Sequence, residues 1–248
     1  MLWRWIRRAV LLLAAVLSLA RSDRPAAAAE EVDLLLVLAA DTSRSVDEQK
    51  FRLQREGYAA AIANRRVLQA IQSGPNGRIA VTYVEWAGPQ AQTTVLDWTV
   101  IADADDAAAV ASRVRAAHRS FMDRTSISAA IDYALQLFAR SPYRAARHVI
   151  DISGDGVNNS GGDLLEARER ALRAGVTING LVILSELPLS INPQHTHPPG
   201  GLQSYYERNV IGGPGAFVMA AEGFETFGQS IVSKLVKEIA ALSEWHVH

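Results

Sequence analysis

The apolar run from Val32 to Ala40 constrains this chain more than any other stretch. Its centre, Val32-Asp33-Leu34-Leu35-Leu36-Val37-Leu38, is nearly all leucine or β-branched. A central parallel strand reads this way when both of its faces are buried. The run leads straight into Asp41-Thr42-Ser43-Arg44-Ser45, and a helical pattern opens near Val46. Asp41 and the two serines therefore stand where a strand ends and a helix begins, the edge at which open α/β sheets bind ligands. The stretch offers one carboxylate and three hydroxyls, with no sulfur or imidazole. Such oxygen-only donors suit hard cations: Mg²⁺, Ca²⁺ or Mn²⁺. The same residues also admit a purely structural reading, in which Ser45 caps the helix, Glu48 closes a capping box and Asp41 is a turn residue.

The rest of the chain alternates strands with helices. Helical patterns cover Val46 to Ala63, Asn64 to Ile71, Asp103 to His118, the stretch after Ser126 to Arg140, Asp163 to Ala174, Leu202 to Val210 and Phe224 to Leu242. Strand patterns cover Arg78 to Trp86, Gln92 to Val100, His148 to Ile152, Val176 to Leu184 and Ala216 to Ala220. Ser185 to Gly200 is a proline-containing loop. The alternation predicts an α/β fold: an open, mostly parallel central sheet of about six strands, with helices on both faces. Gln92–Val100, joined to its predecessor through Gly88-Pro89, is expected as the one antiparallel strand, at an edge of the sheet.

The N-terminus has the form of a processing signal. A basic stretch from Trp3 to Arg8 precedes an apolar one from Ala9 to Ala20, and Ala27-Ala28-Ala29 fits a small-residue cleavage site. The apolar part is shorter than the roughly 20 residues that span a bilayer. A signal peptide over residues 1–29 is therefore expected, with one domain over 30–248 and a periplasmic or secreted location in a bacterium. Arg7-Arg8 leaves the export route open between the general and twin-arginine systems. The chain has no cysteine, hence neither disulfide nor lipid attachment through one. Loss of residues 1–29 removes five arginines and one aspartate, leaving 20 basic and 25 acidic residues, a net charge of −5. That balance argues against nucleic acid, whose binding needs a basic stripe.

Two further oxygen-bearing positions stand at strand ends or helix starts: Thr125, just before a helix, and Asp155, just after a buried strand and followed by Gly156. Asp-x-Ser-x-Ser, then a lone threonine, then Asp-Gly closing a hydrophobic strand: this order resembles the von Willebrand factor A domain and its metal-ion-dependent adhesion site. The resemblance covers nearly the whole of the chain after residue 29. The stretches Val84-Glu85-Trp86-Ala87-Gly88, Arg124-Thr125-Ser126-Ile127-Ser128 and Asp151-Ile152-Ser153-Gly154-Asp155-Gly156 look like a secreted bacterial branch of that superfamily whose function is uncharacterised. The resemblance implies that Ser43, Ser45 and Thr125 supply hydroxyl oxygens to a cation, and Asp41 and Asp155 supply carboxylates, often through water. Mg²⁺ or Mn²⁺ is implied ahead of Ca²⁺, with one position left open for an acidic group of a partner protein. The sequence departs from the family's Thr-Asp-Gly in placing Ser153-Gly154 before Asp155, and the flexibility of Gly154 bears on where Asp155 sits.

Other residues are read more plainly. Ser153 lacks the glycine two residues earlier that a nucleophile elbow needs. A second aspartate, expected beside a phosphoryl-accepting Asp41, is replaced by Ser43. His195-Thr196-His197 and His246-Val247-His248 have two-residue spacing without cysteine or helical spacing to support a transition-metal site. Trp86 and Trp98 read as core or rim aromatics, and Asn158-Asn159 as a polar turn that could border the metal site. The favoured function is a non-enzymatic binding module that recognises a protein through a cation. The alternatives are a metal-dependent hydrolase on the same oxygens, which would need a general base that the motif segments do not supply, and a scaffold with a relic site.

Overall fold

The structure, a computed structural model, describes residues 29–240. All but the last residue of the expected leader, the His246–His248 pair and the end of the last helix lie outside them. Among the described residues, strands β1 (Glu30–Glu31), β2 (Leu35–Asp41), β3 (Ile79–Trp86), β4 (Gln92–Ile101), β5 (Tyr143–Arg144), β6 (His148–Gly154), β7 (Val176–Ile183) and β8 (Val218–Ala221) interleave with eight helices. These are α1 (Glu48–Ile62), α2 (Arg65–Gln72), α3 (Ala104–Ala116), α4 (Ile127–Ala139), α5 (Leu164–Arg173), α6 (Pro193–Thr196), α7 (Leu202–Asn209) and α8 (Phe227–Ala240). The main sheet has six strands in the order β4-β3-β2-β6-β7-β8. Only β3 and β4 pair antiparallel, and β4 is an edge strand, as the sequence predicts.

Every residue of β2 is buried. Leu34, Leu36, Leu38 and Ala40 meet Phe51 and Tyr58 of α1, Val110 of α3 and Phe227 and Ile231 of α8. Val37 and Ala39 meet the other layer, with Ile127 and Ile131 of α4, Ala167 of α5 and Tyr206 of α7. The period-two alternation thus serves two cores at once, which is why the sequence shows no polar face. Each fully buried leucine is worth about 1.5–3 kcal/mol.

The first strand is not continuous from Val32, because Asp33 interrupts it. Asp33 Oδ1 accepts from the backbone N–H and the side-chain amide of Asn76, both at 2.9 Å. The carboxylate holds the turn before β3, and the two residues ahead of Val32 pair separately with β5. Helix starts follow capping chemistry: Asn64, Asp103, Ser126 and Asp163 each accept a hydrogen bond from the first turn they precede. The cap of α1 is Asp47, whose Oδ1 accepts from Lys50 N at 2.9 Å; the expectation of Ser45 in that role is corrected. The last helix begins at Phe227 rather than Phe224, which nevertheless stays buried. No described helix is long and apolar enough to cross a membrane.

A charged cluster is sealed between β6 and α8. Lys234 Nζ lies 2.6 Å from Asp151 Oδ1 and 2.5 Å from Glu238 Oε1, and all three residues are buried. Asn179 donates to the same Glu238 oxygen at 2.9 Å. Two carboxylates share one cation, and burial followed by Glu238's charge pushes Asp151 up to about 7. Its folded pKa exceeds its unfolded one, so stability falls as pH rises from about 4 to about 7. Lys234→Met should cost about 3–5 kcal/mol, the usual penalty for stripping a buried ion pair of one partner. Urea unfolding should show a larger loss at high pH than at low pH, because Asp151 then charges without its cation.

Candidate metal centre

The sheet order places β2 between β3 and β6, so the chain leaves β2 toward one side and returns on the other. Strand order reverses at β2, and the carboxyl ends of β2 and β6 border the crevice where α/β sheets bind ligands. Asp41 closes β2 and Asp155 follows β6.

The loop after β2 is built by its own side chains. Asp41 Oδ1 accepts from Ser43 N at 2.7 Å, which turns the chain. Ser43 Oγ and Ser45 Oγ are 3.2 Å apart, and Ser45 Oγ donates to Asp155 Oδ1 at 2.5 Å. Ser45 is therefore drawn toward Asp155 rather than toward the helix terminus, and Asp47 takes the cap. Three backbone carbonyls of the loop, those of Thr42, Ser43 and Val46, accept from Arg119 Nη2 at 2.7, 3.1 and 2.6 Å. The Asp41 carbonyl accepts from Gln54 Nε2 at 3.0 Å.

Thr125 precedes α4 and is tied to the segment after Asp155. Its N–H donates to Asn159 Oδ1 at 3.0 Å, and its carbonyl accepts from Asn159 N at 2.9 Å. Asp41, Ser43, Ser45 and Asp155 thus form one bonded network. Thr125 reaches it through a residue that the sequence reading considered only beside His197: His195 Nε2 lies 3.3 Å from Thr125 Oγ1, and the imidazole lies close enough to Asp155 for that charge to act on it. His195 comes from α6, inside the loop 185–200. Its Nδ1 lies 3.3 Å from Asn159 Nδ2, and its carbonyl accepts from Val157 N at 3.0 Å. All five expected site residues and His195 are almost wholly screened from solvent.

Space decides the two glycines. A Cβ on Gly156 would overlap the His195 ring. A Cβ on Gly154 would stand 2.7 Å from Tyr206 Oη and 3.0 Å from Asp41 Oδ2. Gly154 is held in β6, paired with Val182, so flexibility is not its role; it leaves room for Asp41. Ser153 is buried beneath the site and accepts from Tyr58 Oη at 2.9 Å, a structural role. Trp86 is core and Trp98 partly buried against it, as expected.

The electrostatics are unbalanced. Burial, then the charge of Asp155, pushes Asp41 up to about 8. Burial also raises Asp155, against the pull of Ser45, Lys50 and His195. Lys50 Nζ is 3.8 Å from Asp155 Oδ2 and donates to Ser45 O at 2.9 Å. Burial lowers His195, with Asp155 opposing. Asp41 Oδ2 and Asp155 Oδ2 are buried without hydrogen-bond partners. Two carboxylates, each with a free oxygen, surrounded by hydroxyls, fit a hard divalent cation. No cluster of three or more His, Cys, Asp or Glu side chains suited to a metal ion occurs among the described residues; the donor set here depends on hydroxyls.

Of the residues that matter here, Lys50 and Arg119 escaped the sequence reading, and His195 was weighed there only as half of a transition-metal pair with His197. Asn159 had its place as a bordering turn residue. Arg119 and His195 lie outside regular periodic segments, and only folding brings them to β2.

A six-stranded, mostly parallel sheet with one antiparallel edge and this oxygen-lined carboxyl edge defines a von Willebrand factor A-like domain. The chain belongs to the family described as "Protein of unknown function (DUF1194)", whose family model matches residues 31–243. No curated protein matches it. Among solved structures, the chain is similar to the conserved hypothetical protein BatB from Bacteroides thetaiotaomicron, with 18% identity and a TM-score of 0.55, covering 84% of this chain and 99% of that one. It is similar to proximal thread matrix protein 1 from the mussel byssus, in a form with a zinc-occupied MIDAS motif: 16% identity, TM-score 0.53, 86% and 46% coverage. A von Willebrand factor type A structure from Catenulispora acidiphila gives 15% identity, TM-score 0.52, 85% and 43% coverage. The chain thus spans about half the length of the mussel protein. At these identities the likeness shows the fold alone.

Gly154→Ala should destabilise the protein by about 1–3 kcal/mol, the usual cost of overpacking. Adding Tyr206→Phe, which removes the nearer clashing atom, should recover part of that loss in urea unfolding.

Proposed function

We propose that the chain is an exported binding module that recognises a protein partner through a divalent cation. Asp41, Ser43, Ser45, Thr125 and Asp155 would hold the cation, Mg²⁺ or Mn²⁺ ahead of Ca²⁺. The observation that carries this reading is the pair of buried carboxylates, each with one unpartnered oxygen and each raised by burial. Among the described residues no cation contacts Asp41: Lys50 reaches Asp155 at 3.8 Å, and Arg119, committed to the loop carbonyls, acts on Asp41 only through its charge. When bound, the cation would supply the missing positive charge and an electrophilic position for an acidic group. The residues' part is to hold that charge in place. Arg119 and Gln54 fix the loop carbonyls, leaving the serine hydroxyls to face the crevice. Mg²⁺ keeps several waters and needs only one or two carboxylates, which suits this set.

A protein partner suits the surroundings. Met122, Leu187 and Ile191 are 66%, 79% and 94% exposed, and they lie on the segments that carry Thr125 and His195. These exposed apolar side chains are available to a partner that docks against those two segments. Export rests on the charged–apolar–small pattern of residues 1–29.

Calorimetric titration with Mg²⁺ and Mn²⁺ should show binding to the wild type and none to Asp41→Ala, with both proteins folded alike by circular dichroism. Equal binding by both would overturn the reading. A partner captured from periplasmic extract should be released by EDTA. Sequencing of the exported protein should find its N-terminus near Glu30; a retained apolar segment would refute export with cleavage.

A further inference from the structure

A histidine beside metal-ligating oxygens can be a ligand, a general base or a hydrogen-bond donor, and the position of its proton decides which. Here the main chain settles that position. The Thr125 N–H can only donate, and it is bonded to Asn159 Oδ1 at 3.0 Å. The Asn159 amide is thereby oriented, with Nδ2 facing His195 Nδ1 at 3.3 Å. An amide nitrogen only donates, so Nδ1 must accept. The neutral ring then carries its proton on Nε2, the nitrogen 3.3 Å from Thr125 Oγ1. The ring has no room to turn away. It is 4% exposed, sits in the space that Gly156 leaves open, and its backbone carbonyl is fixed by Val157 N.

We infer that His195 is neither a metal ligand nor a general base, but a positioning residue for Thr125, and that Asn159 assigns it that role. Its Nε2–H donates to the Thr125 hydroxyl oxygen and leaves that oxygen a second lone pair for a cation. Because the Nε2 lone pair is masked by the proton, the donor set stays all oxygen. That favours Mg²⁺ and Mn²⁺ over metals that prefer imidazole. The inference rests on the proposed cation site for its consequence, but not for the tautomer. Asn159→Asp reverses the logic: one carboxylate oxygen can still accept from Thr125 N while the other accepts from Nδ1–H. The Nε2 lone pair is then free, in a carboxylate–histidine–metal arrangement.

The test uses protein with ¹⁵N-labelled histidine, in EDTA, at about pH 8, well above the usual imidazole pKa. Long-range ¹H–¹⁵N NMR, with His195 identified by its absence in His195→Ala, should find the Nε2–H tautomer in the wild type and Nδ1–H in Asn159→Asp. Zn²⁺ titration should show Asn159→Asp binding at least about tenfold more tightly than wild type, the scale on which such outer partners act. That gain should vanish in Asn159→Asp/His195→Ala. An Nδ1–H tautomer in the wild type, or a zinc gain that survives loss of His195, would overturn the inference. A wild type that shows the Nε2–H tautomer yet binds no Mg²⁺ would overturn the proposed function and leave this assignment standing.

Discussion

Two carboxylates that repel one another sit at the ends of adjacent parallel strands, and the upper half of the molecule is arranged around that repulsion. Asp41 and Asp155 are brought together because β2 and β6 pair directly, although 114 residues separate them in sequence. Neither can turn to water, because the loops over them are closed. The burial of each raises its pKa, and the charge of one raises the other further. Such an arrangement is costly in an isolated domain. It is intelligible where a cation completes it.

The groups around this pair divide by what they hold. Arg119 spends its guanidinium on four main-chain carbonyls, those of Thr42, Ser43, Val46 and Phe121, and bonds no carboxylate, so it fixes loop shape while its charge acts on Asp41 only from a distance. Its face also lies over the Phe51 ring, 5.2 Å from the centroid, which seats the guanidinium on the core. Gln54 does the same for Asp41's carbonyl. With these carbonyls occupied, the hydroxyls of Ser43 and Ser45 stay bonded to each other and to Asp155. Gly154 and Gly156 contribute by absence: one makes room for Asp41 and Tyr206, the other for His195.

A second buried charge cluster, Lys234 with Asp151 and Glu238, contrasts with the first. Asp151 lies on β6, four residues before Asp155, yet its charge is met by a lysine from α8 at 2.6 Å. Where the protein needs only to bind an element to the sheet, it provides the counter-charge itself. At the carboxyl edge, among the described residues, Lys50 is partly exposed and 3.8 Å from one carboxylate, and Arg119 acts on the other without touching it. One pair of carboxylates has a lysine in contact with both and the other has no cation in contact with Asp41, and the proposed ligand site rests on that difference.

Much of this was legible in the chain itself. Hydrophobic runs mark β2, β6 and β7 because both their faces are buried, and polar punctuation marks the helix caps at Asn64, Asp103 and Asp163. The order of Asp41, Ser43, Ser45, Thr125 and Asp155 could be read because strand ends and helix starts have local signatures. What could not be read depended on contacts between distant segments. Ser45 and Asp47 are both competent caps within two residues, and Asp155 decides between them by taking Ser45. Asp33 sits inside an apolar run, and only the turn at Asn76 explains why the strand breaks there. His195 lies in a loop without periodicity, so no local pattern reveals that it covers Thr125. Local sequence determines which elements form, because burial period and capping act over a few residues. Tertiary structure alone decides which side chains share a crevice, because that depends on the order of strands in the sheet.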